Sequence, residues 1–187
     1  LEIMKIVSFN GLTMWLGILF TAGSTLLLFP VELPRLAMLP VLAPHALGLF
    51  LLLPVAGYLL LCGLKRRPLT FRDWSFPFPS LRLAAGQVAV GALDWVLAST
   101  VFFLLLPSAP GLSYPTVLTT FIFAQILTLA SHVPGGVGVF ETLMLLQLSP
   151  FVPKTQLMGA LLAFRVIYYL RGLSKQPHQI GVFYKCK

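Results

Sequence analysis

The stretch "SHVPGGVGVFE", residues 131–141, decides how the chain is read, because it interrupts a long apolar run with one proline, three glycines and then an acid. On either side lie "TVLTTFIFAQILTLAS" (116–131) and "VGVFETLMLLQLS" (137–149), both apolar and helical in pattern. Each falls short of the roughly 20 residues that a bilayer span needs. Two short helices broken at Pro and Gly predict a re-entrant helical hairpin over 116–149, in which irregular backbone at depth is buried in protein or lines a cavity. Two complete but short spans are the alternative. Parity does not separate the two readings, since both return residues 150–156 to the same side.

The surrounding composition supports a membrane setting. The 187 residues are 58% hydrophobic and 10% charged, with a mean hydropathy of +0.92, whereas an average soluble domain carries roughly 25% charged residues. The expected fold is all-α, a polytopic transmembrane helix bundle. Its spans fall at about 11–29, 43–63 and 83–106, followed by the hairpin at 116–149 and a shorter segment at 157–171 that carries an arginine. Pro54 is tolerable inside the second span as a kink, because neighbouring helices can satisfy the carbonyl it frees.

The net charge of +8 does not indicate nucleic acid. Its basic residues form short runs beside apolar segments, "LKRRPLTFR" (64–72) and "RGLSKQPHQIGVFYKCK" (171–187). That is the pattern of cytoplasmic membrane edges facing anionic lipid. With the basic runs inside, residues 30–42 and 107–115 lie outside. "RDWSFPFPSLR" (72–82), with aromatic residues interleaved with prolines, is expected to lie along the interface rather than cross. Cys62 and Cys186 make no metal or redox motif. His45 and His178 have no partners for zinc chemistry, and no nucleophile triad is assembled, so no catalytic residue, metal or cofactor is implied. The opening "LEIMKIVSFNG" reads as a helix already under way, and hence as an internal fragment or truncated product.

Ionisable residues inside spans are costly and therefore functional candidates. Asp94 shares a helical face with Gln87, Gly91 and Ala98, a small and polar face expected to point into the bundle. A structural pair with Arg165 is the competing explanation. Arg165, in "RVIYY", could present a guanidinium fork to a phosphate with help from Tyr168 and Tyr169; alternatively the tyrosines form an interfacial belt and the arginine snorkels. Glu141 opens the second half of the hairpin, where the helix dipole favours a carboxylate, or it meets a proton or a headgroup amine. Gly135, Gly136 and Gly138 would expose backbone N–H groups to an anion. Gln125, Thr128 and His132 make a polar stripe on the preceding half-helix, with His132 either a hydrogen-bonded cap or a ligand.

Taken together, "SHVPGGVGVFETLMLL", "LLAFRVIYYL", "ALDWVLASTVFFLLLP" and "EIMKIVSFNGLTMWLG" resemble the transmembrane region of the lysylphosphatidylglycerol synthase and flippase family, also called multiple peptide resistance factor, and related uncharacterised membrane proteins. The resemblance covers residues 1–170. It implies a partial flippase-like region that moves aminoacylated phosphatidylglycerol or a related phospholipid across the bacterial inner membrane, a process linked to resistance against cationic antimicrobial peptides. Asp94, Glu141 and Arg165 match charged positions of the family's polar cavity. The expected partner is a membrane phospholipid; nucleic acid is not expected, and self-association into a homo-oligomer is compatible with this reading. Two alternatives stand beside it: the membrane part of a phosphatidylglycerol lysyltransferase whose catalytic domain is absent here, or an inactive structural membrane fragment. Residues 171–187 depart from the apolar continuation that the resemblance implies and read as an altered or prematurely ended frame.

Overall fold

The computed structural model describes residues 2–29, 44–64, 69–71, 74–76, 79–131, 133 and 138–174, with side chains described for 11–29, 44–64, 79–131, 133 and 138–168. The first helix, α1 (Glu2–Leu28), is followed by α2 (Pro44–Leu64), α3 (Leu81–Leu105), α4 (Tyr114–Ala130), α5 (Val139–Leu148) and α6 (Lys154–Ser174). Three of them contain stretches long and apolar enough to cross a membrane: Gly11–Leu28, Pro44–Leu64 and Leu81–Leu105. The chain is a bundle of helices of membrane type, as its composition requires.

α1 is the hub, packing on α2, α3 and α4. Its buried face holds Leu16, Ile18, Ala22 and Leu26, along with two threonines, Thr21 and Thr25. The threonines bury no unmet hydroxyl, because Thr21 Oγ1 donates to the Gly17 carbonyl at 2.8 Å and Thr25 Oγ1 to the Thr21 carbonyl at 2.7 Å. Such back-bonding within a helix removes the penalty of an orphaned donor.

Glycine sets the spacing of the helices around α1. A Cβ on Gly17 would lie 2.7 Å from Gly91 Cα, and one on Gly91 would lie 2.6 Å from the Thr13 carbonyl oxygen. On the α2 side, a Cβ on Gly23 would lie 2.8 Å from the Gly48 carbonyl oxygen. Small residues are what allow two backbones to approach this closely, and van der Waals packing of this kind replaces the hydrophobic drive that lipid does not supply.

The segment between α2 and α3 includes two short antiparallel strands, β1 (Leu69–Phe71) and β2 (Trp74–Phe76), in the register Leu69 with Phe76, Thr70 with Ser75 and Phe71 with Trp74. The sequence reading of 72–82 did not anticipate a strand. Aromatic and β-branched residues between Pro68 and Pro77 favour extended backbone. At the other end of that segment, Leu81 and Arg82 already belong to α3, whose N-cap Ser80 accepts from the Leu83 N–H at 3.4 Å. α3 ends at Leu105, and Leu106 is extended at φ −80°, ψ 142°, the conformation demanded of the residue before Pro107.

α3 and α4 are joined by hydroxyls. Ser99 Oγ and Thr100 Oγ1 both donate to the Val96 carbonyl, at 2.8 and 2.7 Å. The Tyr114 hydroxyl lies 3.1 Å from Ser99 Oγ, 3.0 Å from Thr100 Oγ1 and 3.3 Å from that same carbonyl. Deeper in the bundle, Phe102, Phe121, Phe140 and Phe164, one each from α3, α4, α5 and α6, bring their rings together at centroid distances of 5.5–6.4 Å. Tilted and edge-to-face aromatic contacts of this kind add to simple burial.

Two helices lie where the hairpin is expected. α4 has 17 residues and α5 has 10. At 1.5 Å per residue the second is about 15 Å long, half of a hydrocarbon core about 30 Å thick. α5 packs on α4. α6 is longer than the expected 157–171 segment, with 21 residues.

The crossing of α1 and α3 gives a direct test. Gly17→Ala and Gly91→Ala should each destabilise the protein by about 1–3 kcal/mol, the usual result of forcing an extra carbon into a packed contact. Gly159→Ala, with open space around it, should instead stabilise α6 by roughly 0.5–1 kcal/mol through helix propensity. Reversible unfolding in mixed detergent micelles reads both signs.

Candidate functional site

The site forms where α5 begins against α6. Gly138 caps the N-terminus of α5 with φ +90° and ψ −39°, a left-handed conformation that favours glycine. No described atom lies within 4 Å of where its Cβ would be, so the requirement is conformational and not one of space. Glu141, in the first turn of α5, folds its side chain back so that Oε2 accepts from the Gly138 N–H at 2.8 Å. This is the carboxylate half of a capping box; glycine has no side chain to supply the other half.

The other oxygen of Glu141, Oε1, is shielded from solvent and has no aligned hydrogen bond. Its charge is met by an ion pair with Nε of Arg165, on α6. The side chains are 25% exposed for Arg165 and 18% for Glu141, so the pair is largely desolvated but reachable from one side. Among the described residues the guanidinium has no further partner. One carboxylate therefore ties the start of α5 to α6.

This arrangement corrects one expectation. The pairing of Asp94 with Arg165 does not form, because Arg165 is taken by Glu141. Asp94 is exposed on α3 and has no ion-pair partner among the described residues. The expectation that its face points into the bundle is corrected as well, since Asp94 itself is exposed. Gly91 is buried against α1, while Asp94, three residues on, sits at the margin between that face and the exposed run of Val90, Leu93, Leu97 and Val101. Gln87, on the same face, accepts a hydrogen bond from the Tyr58 hydroxyl at 2.8 Å, tying α2 to α3. Trp95 packs against the core and donates from Nε1 to the Met14 carbonyl at 3.3 Å.

The remaining candidates divide in the same way. Tyr168 is exposed, and its ring lies against Phe164 at 5.9 Å, a packing role that leaves its hydroxyl away from any described partner. Gln125 is half-buried on α4. Gly135, Gly136, His132 and the side chain of Tyr169 lie outside the described residues. The hydroxyl junction at Tyr114 was not singled out from sequence; "AST" at 98–100 followed by "SY" at 113–114 is too common a pattern to signal it. On α4, Thr128 Oγ1 is shielded and has no hydrogen-bond partner among the described residues.

The fold and the site define a helical membrane protein with an intrahelical-bundle ion pair. Comparison with known proteins gives its relatives. It is 36% identical over 181 residues to the uncharacterized protein slr0712 of Synechocystis, covering 97% of this chain and 56% of that one. It is 31% identical over 169 residues to the inner membrane protein YbhN of Escherichia coli, covering 89% and 52%. It is also 35% identical over 82 residues to a phosphatidylglycerol lysyltransferase of Staphylococcus haemolyticus, covering 43% of this chain and 10% of that enzyme. No family model matches the chain. The chain is thus a membrane protein related to YbhN and, over part of its length, to phosphatidylglycerol lysyltransferases, and it spans about half the length of the first two relatives.

A double-mutant cycle separates the two pairings considered for Arg165. Glu141→Ala with Arg165→Ala should return a coupling of about 1–2 kcal/mol, within the range for residues in direct contact. The cycle of Asp94→Ala with Arg165→Ala should return a value near zero. Unfolding free energies of the four proteins in each cycle supply the measurement.

Proposed function

We propose that this chain is a flippase-like region of a bacterial inner-membrane protein, moving aminoacylated phosphatidylglycerol or a related phospholipid between leaflets. The observation that carries the reading is the Glu141–Arg165 pair, held at the start of a half-length helix inside an apolar bundle. A lipid that crosses must take its polar headgroup through apolar surroundings, and a polar group there costs several kcal/mol unless it is met. A guanidinium whose terminal nitrogens have no partner among the described residues is suited to a phosphate, which it can hold through two charge-assisted bonds. Asp94, exposed on α3, is the carboxylate on offer to a headgroup amine.

The relatives support this reading at the level of class. One is named an inner membrane protein, and another acts, by its name, on phosphatidylglycerol. The second reading, that the chain is the membrane part of a phosphatidylglycerol lysyltransferase, is favoured by the same 82-residue match. Aminoacyl transfer would then belong to residues that this chain does not contain.

The full chain, reconstituted into phosphatidylglycerol vesicles with a fluorescent phosphatidylglycerol, provides the test. Dithionite should bleach nearly the whole labelled pool if the protein moves lipid between leaflets, and only the outer-leaflet share if it does not. Arg165→Ala should slow the movement about tenfold or more, the loss of at least roughly 1.4 kcal/mol from a charge-assisted contact. Failure of the unmodified chain to extend bleaching beyond the outer leaflet overturns the proposal.

A further inference from the structure

Both oxygens of the Glu141 carboxylate are already committed. Oε2 accepts from the Gly138 N–H, and the shielded Oε1 faces Nε of Arg165. An amine arriving at Glu141 would have to displace one of these contacts. Displacing the first leaves a helix N-terminal N–H unmet, and displacing the second leaves a largely desolvated guanidinium without its counter-charge. On the other side of the pair, Arg165 uses Nε for Glu141 and has no described partner for its terminal nitrogens. The edge that faces away from Glu141 is the one shaped for a two-oxygen acceptor.

We propose that Glu141 is a positioning residue that orients Arg165, rather than a ligand for the headgroup amine, so that the site recognises the phosphodiester common to phospholipids whether or not they carry an amine. The inference rests on the reading of the chain as a phospholipid-handling protein and specifies which part of the lipid the Glu141–Arg165 pair reads. It also assigns separate tasks to the two faces of one guanidinium. A lysine could not perform both, because its single ammonium would be captured by Glu141 and no planar fork would remain for the phosphate.

That asymmetry supplies a test with a signature that loss of structure alone would not give. The full chain in dodecylmaltoside micelles is titrated with phosphatidylglycerol, which has no amine, and with lysylphosphatidylglycerol, and bound lipid is counted by native mass spectrometry. Glu141→Gln should weaken both lipids by the same factor. Arg165→Lys should weaken both about tenfold, as expected for loss of a bidentate charge-assisted contact. Combining Arg165→Lys with Glu141→Gln should recover much of that loss, since the ammonium is released to the phosphate. Helix content and elution profile in detergent check folding, and Glu141→Asp stands in for Glu141→Gln, with the same equal loss expected, if the latter does not fold.

Selective loss of the lysyl lipid in Glu141→Gln, or a double variant no better than Arg165→Lys alone, overturns the assignment while leaving the lipid-handling reading intact. An unmodified chain that binds neither lipid overturns both.

Discussion

Backbone-to-backbone contact between α1 and α3 at Gly17 and Gly91 is the constraint on which the rest of the bundle depends. Among apolar helices in an apolar solvent, burying one more leucine gains little, so close packing has to hold the assembly together. The two glycines bring the helix axes to a distance that any side chain would forbid. Once α1 is seated there, it also meets α2, through Gly23 and Gly48, and α4. Thr21 and Thr25 can be buried on the same face because each satisfies itself within its own helix. The buried face of α1 is thus closely packed and free of unmet hydroxyls.

From that scaffold the position of the ion pair follows through the phenylalanines. Phe140 precedes Glu141 in α5, and Phe164 precedes Arg165 in α6, and both rings belong to the cluster with Phe102 and Phe121. Successive residues of a helix point roughly 100° apart, as 3.6 residues per turn dictates. Burying each ring in the shared core therefore sets the rotation of its helix and places the next side chain at the margin of that core. There the acid and the base find one another. The apolar cluster does the aiming, and the charges meet where the aromatic core gives way to a partly open edge.

Much of this was legible in the amino-acid order. Apolar runs of span length, with prolines and glycines between them, announced the helices, and the "PGG" break announced the separation of α4 from α5. Glu141 in the first turn after the glycines was equally readable, because a carboxylate at that place has a helix-dipole reason to be there. Its partner was not readable. Arg165 is opposite in charge to both Asp94 and Glu141, and helical periodicity describes one helix at a time, whereas the choice between them depends on how α5 is rotated against α6. Asp94 illustrates the same limit: its face includes Gly91, which is buried, yet Asp94 lies just beyond the flank that α1 covers. The strand pair at 69–76 escaped notice because three-residue strands leave almost no period to detect.

Two of the polar junctions of the bundle differ in how much loss they can absorb. At Tyr114, one phenol hydroxyl lies within hydrogen-bonding distance of two hydroxyls and one carbonyl of α3. Removing the phenol oxygen cuts the polar link between α3 and α4, but Ser99 and Thr100 stay bonded to the Val96 carbonyl within α3, so neither hydroxyl is left unmet. The Glu141–Arg165 link has no such fallback: deleting either member leaves the other's charge without a described counter-ion. A bundle built this way concentrates its vulnerability where α5 meets α6, and its polar chemistry is most sensitive to change at the same point.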